Sequence, residues 1–141
     1  FPPEVPALSN FLVTRASTEV LEDKKTPYHI GITYTTNKRF WEFNEEFKQK
    51  LIDSRSQAIE MECATLFTAS YSRKVSLGAL LLVSDLPLEP HGVKTKKSAD
   101  FVFRNHMKKH IEDGISILHH ADEMLQNKIK GSYNRKVYKR K

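Results

Sequence analysis

Three acidic side chains lie where apolar segments end, and a carboxylate in such a place could take part in catalysis. Asp85 follows Ser84 directly after the most apolar run of the sequence, residues 75–83. Burial against such a run raises a carboxyl pKa, so Asp85 could hold a proton near neutral pH and donate it as a general acid. The alternative is that Asp85 only caps the turn that follows it, and its position alone does not decide between the two.

The other two carboxylates, Glu60 and Glu62, flank Met61 at the end of a short predicted strand. Strand alternation places both on one side, unless a helix begins between them. A carboxylate there could accept both hydrogen bonds of a ribose diol. The alternative is that Glu62 lies in the first turn of a helix, where the helix dipole favours an acidic residue, and the residues alone favour this second interpretation.

Other chemistry has weaker support in the sequence. His106 and His110 have the spacing of two metal ligands on one helix, but Lys108 and Lys109 lie between them and the Glu of a zinc-protease motif is missing, so no metal is predicted. No glycine-rich phosphate loop is present, and no cofactor is predicted. Cys63, the only cysteine, is predicted to be a small core residue; it excludes an internal disulfide and fits a reducing cytoplasm.

The length of 141 residues suits one domain, and the charge is unevenly distributed. Residues 127–141 hold seven basic residues and no acidic one, which leaves 16 of the 23 basic residues against 17 acidic ones in the rest. We therefore predict a nearly neutral domain over 1–126 and a basic, mobile tail over 127–141. A nucleic-acid-binding domain usually spreads its basic residues over a folded face, so nucleic acid is not favoured as a partner. No apolar run is long enough for a membrane-spanning helix, so no membrane association is predicted.

The elements that must position these side chains alternate between strands and helices. Residues 75–84 are apolar at consecutive positions, which is typical of a strand covered on both faces. The apolar stripe of a long carboxy-terminal helix is formed by Phe101, Val102, Met107, Ile111, Ile115 and Leu118. Strands are predicted over 28–36, 58–61 and 75–84, and helices over 11–21, 44–54 (with Asn44 as N-cap), 63–71 and 98–125. This order predicts an α/β fold with helices on the faces of the sheet, and in such sheets ligands bind where strands end.

Several segments in the same order resemble a known family. Residues 58–67 (Ala-Ile-Glu-Met-Glu-Cys-Ala-Thr-Leu-Phe) resemble the Met-Glu segment of the nucleoside phosphorylase and nucleosidase superfamily, and residues 81–85 resemble its catalytic Ser-Asp strand. Residues 34–42 and 92–95 are similar to the branch of AMP nucleosidases, which hydrolyse AMP to adenine and ribose 5-phosphate, and residues 1–8 resemble an internal stretch of its short bacterial form. The resemblance covers about residues 1–120 and implies part of a nucleoside-phosphorylase-like mixed sheet flanked by helices.

The resemblance also implies roles for individual residues. Asp85 would protonate N7 of the purine, Glu62 would bind the ribose hydroxyls and stabilise positive charge on the sugar, and Met61 would pack against the sugar. Phe40 or Trp41 would either stack on adenine or only pack, and packing is favoured for Trp41. The expected ligands of the 5′-phosphate are the cations Lys38, Arg39 and Lys94, with Thr35, Thr36, Asn37 and Thr95. Glu60 and Ser84 complete the expected substrate-binding residues.

The family's amino-terminal half supplies its first strands, a glycine-rich segment and the group that positions the attacking water, and none of these lies in the 141 residues. The resemblance thus implies the carboxy-terminal half of a homo-oligomeric enzyme that acts on AMP together with the missing half, and the single cysteine indicates a cytoplasmic location. Two alternatives stay open. One is a nucleosidase or phosphorylase that acts on a purine nucleoside and has no phosphate site. The other is a non-catalytic α/β domain whose basic tail binds RNA or acidic partners.

Overall fold

The structure, a computed structural model, describes the backbone of residues 8–138 and the side chains of residues 8–130. Most of the segment 1–8 that carries part of the family resemblance lies outside these residues, as do the side chains of the last basic residues. The predicted α/β class is confirmed, with a small parallel sheet of two strands and helices before, between and after them. In chain order the elements are α1 (Phe11–Asp23), β1 (Thr33–Thr35), a 3₁₀ turn (Trp41–Phe43), α2 (Glu45–Asp53), β2 (Ala58–Glu60), α3 (Cys63–Arg73) and α4 (Lys96–Tyr138).

Asparagine side chains set the starts of the first two helices. The Oδ1 of Asn10 accepts hydrogen bonds from the N–H groups of Leu12 and Val13 at the start of α1. Asn44 does the same for α2, where its Oδ1 lies 2.8 Å from the amide nitrogen of Phe47. Both side chains satisfy N–H groups that have no partner inside the helix. The predicted N-cap of α2 is therefore confirmed.

The sheet consists of β1 and β2, which pair in parallel with Thr33 opposite Ala58 and Thr35 opposite Glu60. The N–H of Thr36 donates to the carbonyl of Glu60 at 2.9 Å, just past the end of the ladder. The first strand was predicted over 28–36 and is much shorter, because its described partner strand offers only three residues to pair with.

The prediction of a third strand over 75–84 is wrong for the described residues. Leu77 accepts a hydrogen bond from the N–H of Asn10 through its carbonyl at 2.7 Å, but no described strand pairs with this segment. Val83 is 60% exposed, although an apolar residue in a central strand should be covered. The segment has the composition of a central strand, but a strand forms only where a neighbour supplies the other half of the ladder.

The core lies where α1 crosses α4. Ala16 of α1 packs against Ile117 and Ala121 of α4, and small side chains at this contact let the two helices approach closely. Further apolar side chains pack around them, namely Leu12, Val20, Leu80 and Met124. No large side chain among the described residues is fully buried, so this core is small for the length of the chain.

Helix α4 departs from its prediction in three ways. It begins at Lys96, before the predicted start at residue 98, and continues to Tyr138, past the predicted end at residue 125. Its buried face carries Asp113, Ile117 and Ala121, whereas Leu118 of the predicted apolar stripe is 68% exposed. Of the predicted stripe, Phe101, Ile111, Ile115 and Leu118 are exposed, whereas Val102 and Met107 are half-buried. Most of the stripe was therefore wrong as the side that faces the core, because α1 covers the neighbouring face. The assignment of 127–141 as a separate tail stays a prediction. Within the described part of the chain, no helix is long and apolar enough to cross a membrane.

Candidate functional site

A cavity of about 380 Å³ opens where β1 and β2 end. It lies at the carboxyl end of the parallel strands, the usual place for a ligand in this kind of sheet. Nine residues line it: Tyr34, Thr35, Thr36, Asn37, Lys38, Phe47, Lys50, Met61 and Thr65. Five of them were expected from the sequence, and the cavity therefore brings the Thr-Thr-Asn-Lys turn and the Met-Glu segment together.

Two lysine ammonium groups and two aromatic rings form one wall of this cavity. Lys38 Nζ lies 5.6 Å from the centroid of the Phe47 ring, and Lys50 Nζ lies 5.9 Å from that of Tyr34. The two rings meet edge to face at 5.6 Å. Neither lysine forms an ion pair with an acidic side chain among residues 8–130. Because ring faces attract cations without neutralising them, both charges stay available to an anion.

Sequence reasoning missed Lys50, although a signal for it exists. Lys50 follows Phe47 by three positions in α2, so the two side chains share one face of that helix. Phe47 is buried against Tyr34 and Trp41, with the Trp41 ring 5.8 Å away, as expected for a packing role of Trp41. Because Phe47 packs on Tyr34 of β1, the side chain of Lys50 on the same helix face also lies beside that ring.

Partly buried hydrogen bonds hold the turn after β1. Thr36 is buried, and its hydroxyl accepts the N–H of Lys38 at 3.1 Å. Such a side-chain-to-backbone bond fixes a turn locally. The hydroxyl of Thr35 makes two hydrogen bonds: it donates to the Glu60 carboxylate and accepts the N–H of Ala64 at 3.0 Å. Asn37 and Lys38 are thus presented at the surface, whereas the hydroxyls of the two threonines are bonded within the protein.

The Met-Glu segment links β2 to α3. The strand ends at Glu60 and the helix begins at Cys63, so the two glutamates do not alternate along one strand. Met61 lines the cavity, and Glu62 is exposed at the N-cap position of α3. The carboxylate of Glu60 turns back over the segment and accepts the N–H groups of Glu62 and Cys63, each at 2.6 Å.

Cys63 is buried, as predicted for a core residue. Burial, together with the hydrogen bond and the negative charge of Glu60, raises the pKa of its thiol to about 11. A thiol with such a pKa carries almost no thiolate at neutral pH and is a poor nucleophile.

A second cavity, of about 360 Å³, lies between the 75–84 segment and the start of α4. It is lined by Leu82, Ser84, Lys94, Ala99, Asp100, Val102, Phe103 and Met107. The Ser84 hydroxyl donates a hydrogen bond to the half-buried carboxylate of Asp85. Asp85 itself lines neither of the two cavities, so the structure gives it a fixed partner without placing it beside Met61.

The remaining expected residues lie outside both cavities. Arg39 and Phe40 are exposed at the end of the turn, and Phe40 has a left-handed backbone with φ of 57°. Thr95 caps α4, since its hydroxyl accepts the N–H of Ser98 at 3.1 Å while its own N–H donates to the Ser98 hydroxyl at 3.0 Å. The substrate contacts of these residues therefore stay predictions.

Comparison with known proteins shows the family to which the chain belongs. The family model of the phosphorylase superfamily matches residues 1–118. The chain belongs to this superfamily. The superfamily resemblance expected from the sequence is thus confirmed, together with the α/β fold.

Three proteins similar to this chain are AMP nucleosidases. The AMP nucleosidase of Escherichia coli (strain K12) is 33% identical over 124 residues, which cover 81% of this chain and 25% of that enzyme. The AMP nucleosidase of Escherichia coli O157:H7 gives the same identity and coverage. The crystal structure of AMP nucleosidase from Bacteroides thetaiotaomicron VPI-5482 matches with a TM-score of 0.70 and 34% identity, covering 91% of this chain and 46% of that one. The chain spans about a quarter of these curated relatives and about half of the solved one.

Proposed function

We propose that this chain forms part of an enzyme that hydrolyses the N-glycosidic bond of AMP to adenine and ribose 5-phosphate. The observation that carries the proposal is the cavity at the ends of β1 and β2, where Lys38 and Lys50 lie beside Met61 without an acidic partner among the described side chains. The AMP nucleosidase names of the relatives support the same substrate.

The proposed role of this cavity is to bind the 5′-phosphate. A phosphate dianion is bound well by compact ammonium groups and by hydrogen-bond donors at a turn. Lys38 and Lys50 supply the charges, and Asn37 supplies a side-chain amide on the same turn. Arg39, Lys94 and Thr95 would have to reach the phosphate from outside this cavity, and their roles depend on the remainder of the enzyme.

The proposed chemistry uses the two carboxylates implied by the family. Asp85, held by Ser84, donates its proton to N7 of adenine, while the C1′–N9 bond breaks and its electron pair passes to the base. Glu62 stabilises the positive charge that develops on the sugar and accepts hydrogen bonds from its hydroxyls. Water then adds to C1′ and loses its proton to a group on another segment, which completes ribose 5-phosphate.

We further propose that the sheet is completed by the amino-terminal half of such an enzyme and by further copies of the enzyme. Val75, Leu81 and Val83 are exposed, and a two-stranded sheet leaves backbone donors and acceptors at its edges. We expect the 141 residues alone to release no adenine from AMP, and co-expression with the amino-terminal half to give co-purification and activity. A monodisperse, fully active monomer of these 141 residues would contradict this. A cytoplasmic location stays a prediction from the single cysteine.

Lys50→Gln in the complete enzyme tests the phosphate site. Loss of one ammonium contact is expected to raise KM for AMP about tenfold or more, which corresponds to about 1.4 kcal/mol, and to leave KM for adenosine unchanged. The matched control is Lys48→Gln on the same helix, because Lys48 Nζ pairs with Glu45 at 2.8 Å and lies outside the cavity. Equal effects on AMP and adenosine would contradict the phosphate site and favour an enzyme for nucleosides.

A further inference from the structure

Glu60 lies at the end of β2, where it was expected to contact the substrate, but protein donors already engage both oxygens of its carboxylate. Oε1 accepts the hydroxyl of Thr35, which lies opposite on β1. Oε2 accepts the N–H groups of Glu62 and Cys63. The side chain is half-buried between the two strands and the start of α3, so it points into the protein.

These bonds replace a missing helix cap. The first N–H groups of a helix have no partner within it, and the N-cap side chain normally accepts one of them. The N-cap residue of α3 is Glu62, whose side chain makes no such bond. Glu60 accepts the N–H groups of residues 62 and 63 instead, and the hydroxyl of Thr35 accepts that of Ala64. Glu60 and Thr35 together thus satisfy three consecutive N–H groups.

The charge of Glu60 strengthens this arrangement. Burial acts to raise the pKa of its carboxyl, but the hydrogen bonds from Thr35 and from the N–H groups of Glu62 and Cys63 hold that pKa below its usual value. Glu60 is therefore ionised at neutral pH and stays an acceptor. A negative charge at a helix N-terminus is also favoured by the helix dipole.

We propose that Glu60, with Thr35, is a positioning residue that fixes the Met61–Glu62 segment and acts on the reaction through Glu62, without touching the substrate itself. The consequence for turnover rests on the proposed function, whereas the hold on the segment does not. Met61 and Glu62 lie between the end of β2 and the start of α3, and Glu60 and Thr35 bond the backbone of that connection to both strands. A displaced connection would move the Glu62 carboxylate away from the sugar.

The test compares Glu60→Ala and Thr35→Val with two controls in the complete enzyme. Thr35→Ser keeps the hydroxyl and should restore wild-type behaviour. Thr68→Val removes a hydroxyl from the same helix that, among the described residues, bonds only to the Ala64 carbonyl, and it should change neither readout. The first readout is hydrogen exchange of individual amides, which is independent of activity. The second is the separation of kcat from KM for AMP.

We expect Glu60→Ala to speed exchange of the Glu62 and Cys63 amides about tenfold or more, and Thr35→Val to do the same for Ala64, while amides in the middle of α3 are unchanged. In both variants kcat should fall about 10- to 100-fold while KM for AMP changes less than about threefold. If Glu60→Ala fails to fold, Thr35→Val still removes one bond to Glu60 and one to α3, and its result decides.

Unchanged exchange at these amides would overturn the proposal, whatever happens to turnover. A rise in KM with constant kcat would overturn it too, because it would make Glu60 a substrate ligand. If the wild-type enzyme releases no adenine from AMP, the proposed function fails, and amide exchange alone then decides whether Glu60 holds the segment.

Discussion

Asp113→Asn is expected to weaken the contact between α1 and α4, on which the described core depends. Asp113 is only 3% exposed, on the face of α4 that packs against α1. Its two carboxylate oxygens accept hydrogen bonds from Lys24 Nζ and Lys109 Nζ, each at 2.9 Å. Lys24 also donates to Ser116 at 2.8 Å, and Lys109 donates to Thr26 at 2.6 Å. Asp113 is therefore the centre of a network that joins the end of α1 and the residues after it to α4.

The expected loss is about 2 kcal/mol in the free energy of unfolding at pH 7. A hydrogen bond to a charged group contributes about 1.5–3 kcal/mol, and two of them are weakened. The side chains of Lys24 and Lys109 are 36% and 55% exposed, so both regain water in the variant and solvent screening reduces the loss. The asparagine also keeps one acceptor oxygen. For a domain of this size, about 2 kcal/mol lowers Tm by roughly 5–10 °C.

The loss should depend on pH in a defined direction. Burial acts to raise the pKa of Asp113, but the hydrogen bonds and charges of Lys24 and Lys109 hold it below its usual value of 3.8. A carboxyl whose pKa is lower in the folded state contributes stability above the unfolded pKa, and that contribution disappears as pH falls through the folded value. The difference between wild type and Asp113→Asn should therefore be complete above about pH 5 and shrink below about pH 4.

Urea unfolding at pH 7 and pH 3 measures this effect. The control is Glu112→Gln, because Glu112 pairs with Lys108 at 3.9 Å with side chains that are 59% and 91% exposed. That change should cost less than about 0.5 kcal/mol. The reasoning would be refuted if Asp113→Asn unfolded within about 0.5 kcal/mol of wild type at pH 7, or if its deficit were equally large at pH 3.

Three further predictions concern the site and its supports. Asp85→Asn removes the proposed proton donor and should lower turnover about 100-fold or more with AMP binding largely retained, as measured by adenine release and calorimetry; near-normal turnover would exclude the general-acid role. Glu62→Gln should impair both kcat and KM, and more for AMP than for 2′-deoxy-AMP, so equal effects on the two would argue against a ribose contact. Cys63 should react with iodoacetamide at pH 8 far more slowly in the folded protein than in the urea-unfolded chain, because burial and Glu60 raise its pKa to about 11. Equal rates in the two states would contradict this environment.

The helices could be predicted from the sequence wherever local chemistry decides. Asn44 caps α2 because its short side chain reaches the N–H of Phe47, and this needs nothing beyond four consecutive residues. The helix predicted over 63–71 is likewise present as α3. The end of α4 was not predicted, because a run of basic residues indicates solvent exposure and does not itself end a helix.

Two features could not be predicted from the local sequence: whether residues 75–84 form a strand, and which face of α4 is buried. The run 75–84 has the composition of a covered strand, but pairing depends on a neighbouring strand that none of the described residues provides. In α4 the larger apolar residues, such as Leu118, are exposed, while Asp113 and Ala121 face α1. Which face is buried depended on the partner helix, whose contact residue Ala16 is small.

The location of the candidate site could be predicted from the sequence, but the roles of its individual residues could be predicted less well. Thr36, Asn37, Lys38 and Met61 meet at one cavity because parallel strands end at one edge of the sheet. The role of Glu60 was not predictable, because residue spacing does not show that its carboxylate turns back onto the N–H groups of α3.

The most direct test of the account is the product formed by the complete enzyme from AMP and from adenosine, with and without inorganic phosphate. The account predicts adenine and ribose 5-phosphate from AMP without added phosphate, with kcat/KM for AMP about 100-fold or more above that for adenosine, since two lysine contacts are each expected to contribute about tenfold. Equal use of adenosine, or cleavage that requires inorganic phosphate, would contradict it.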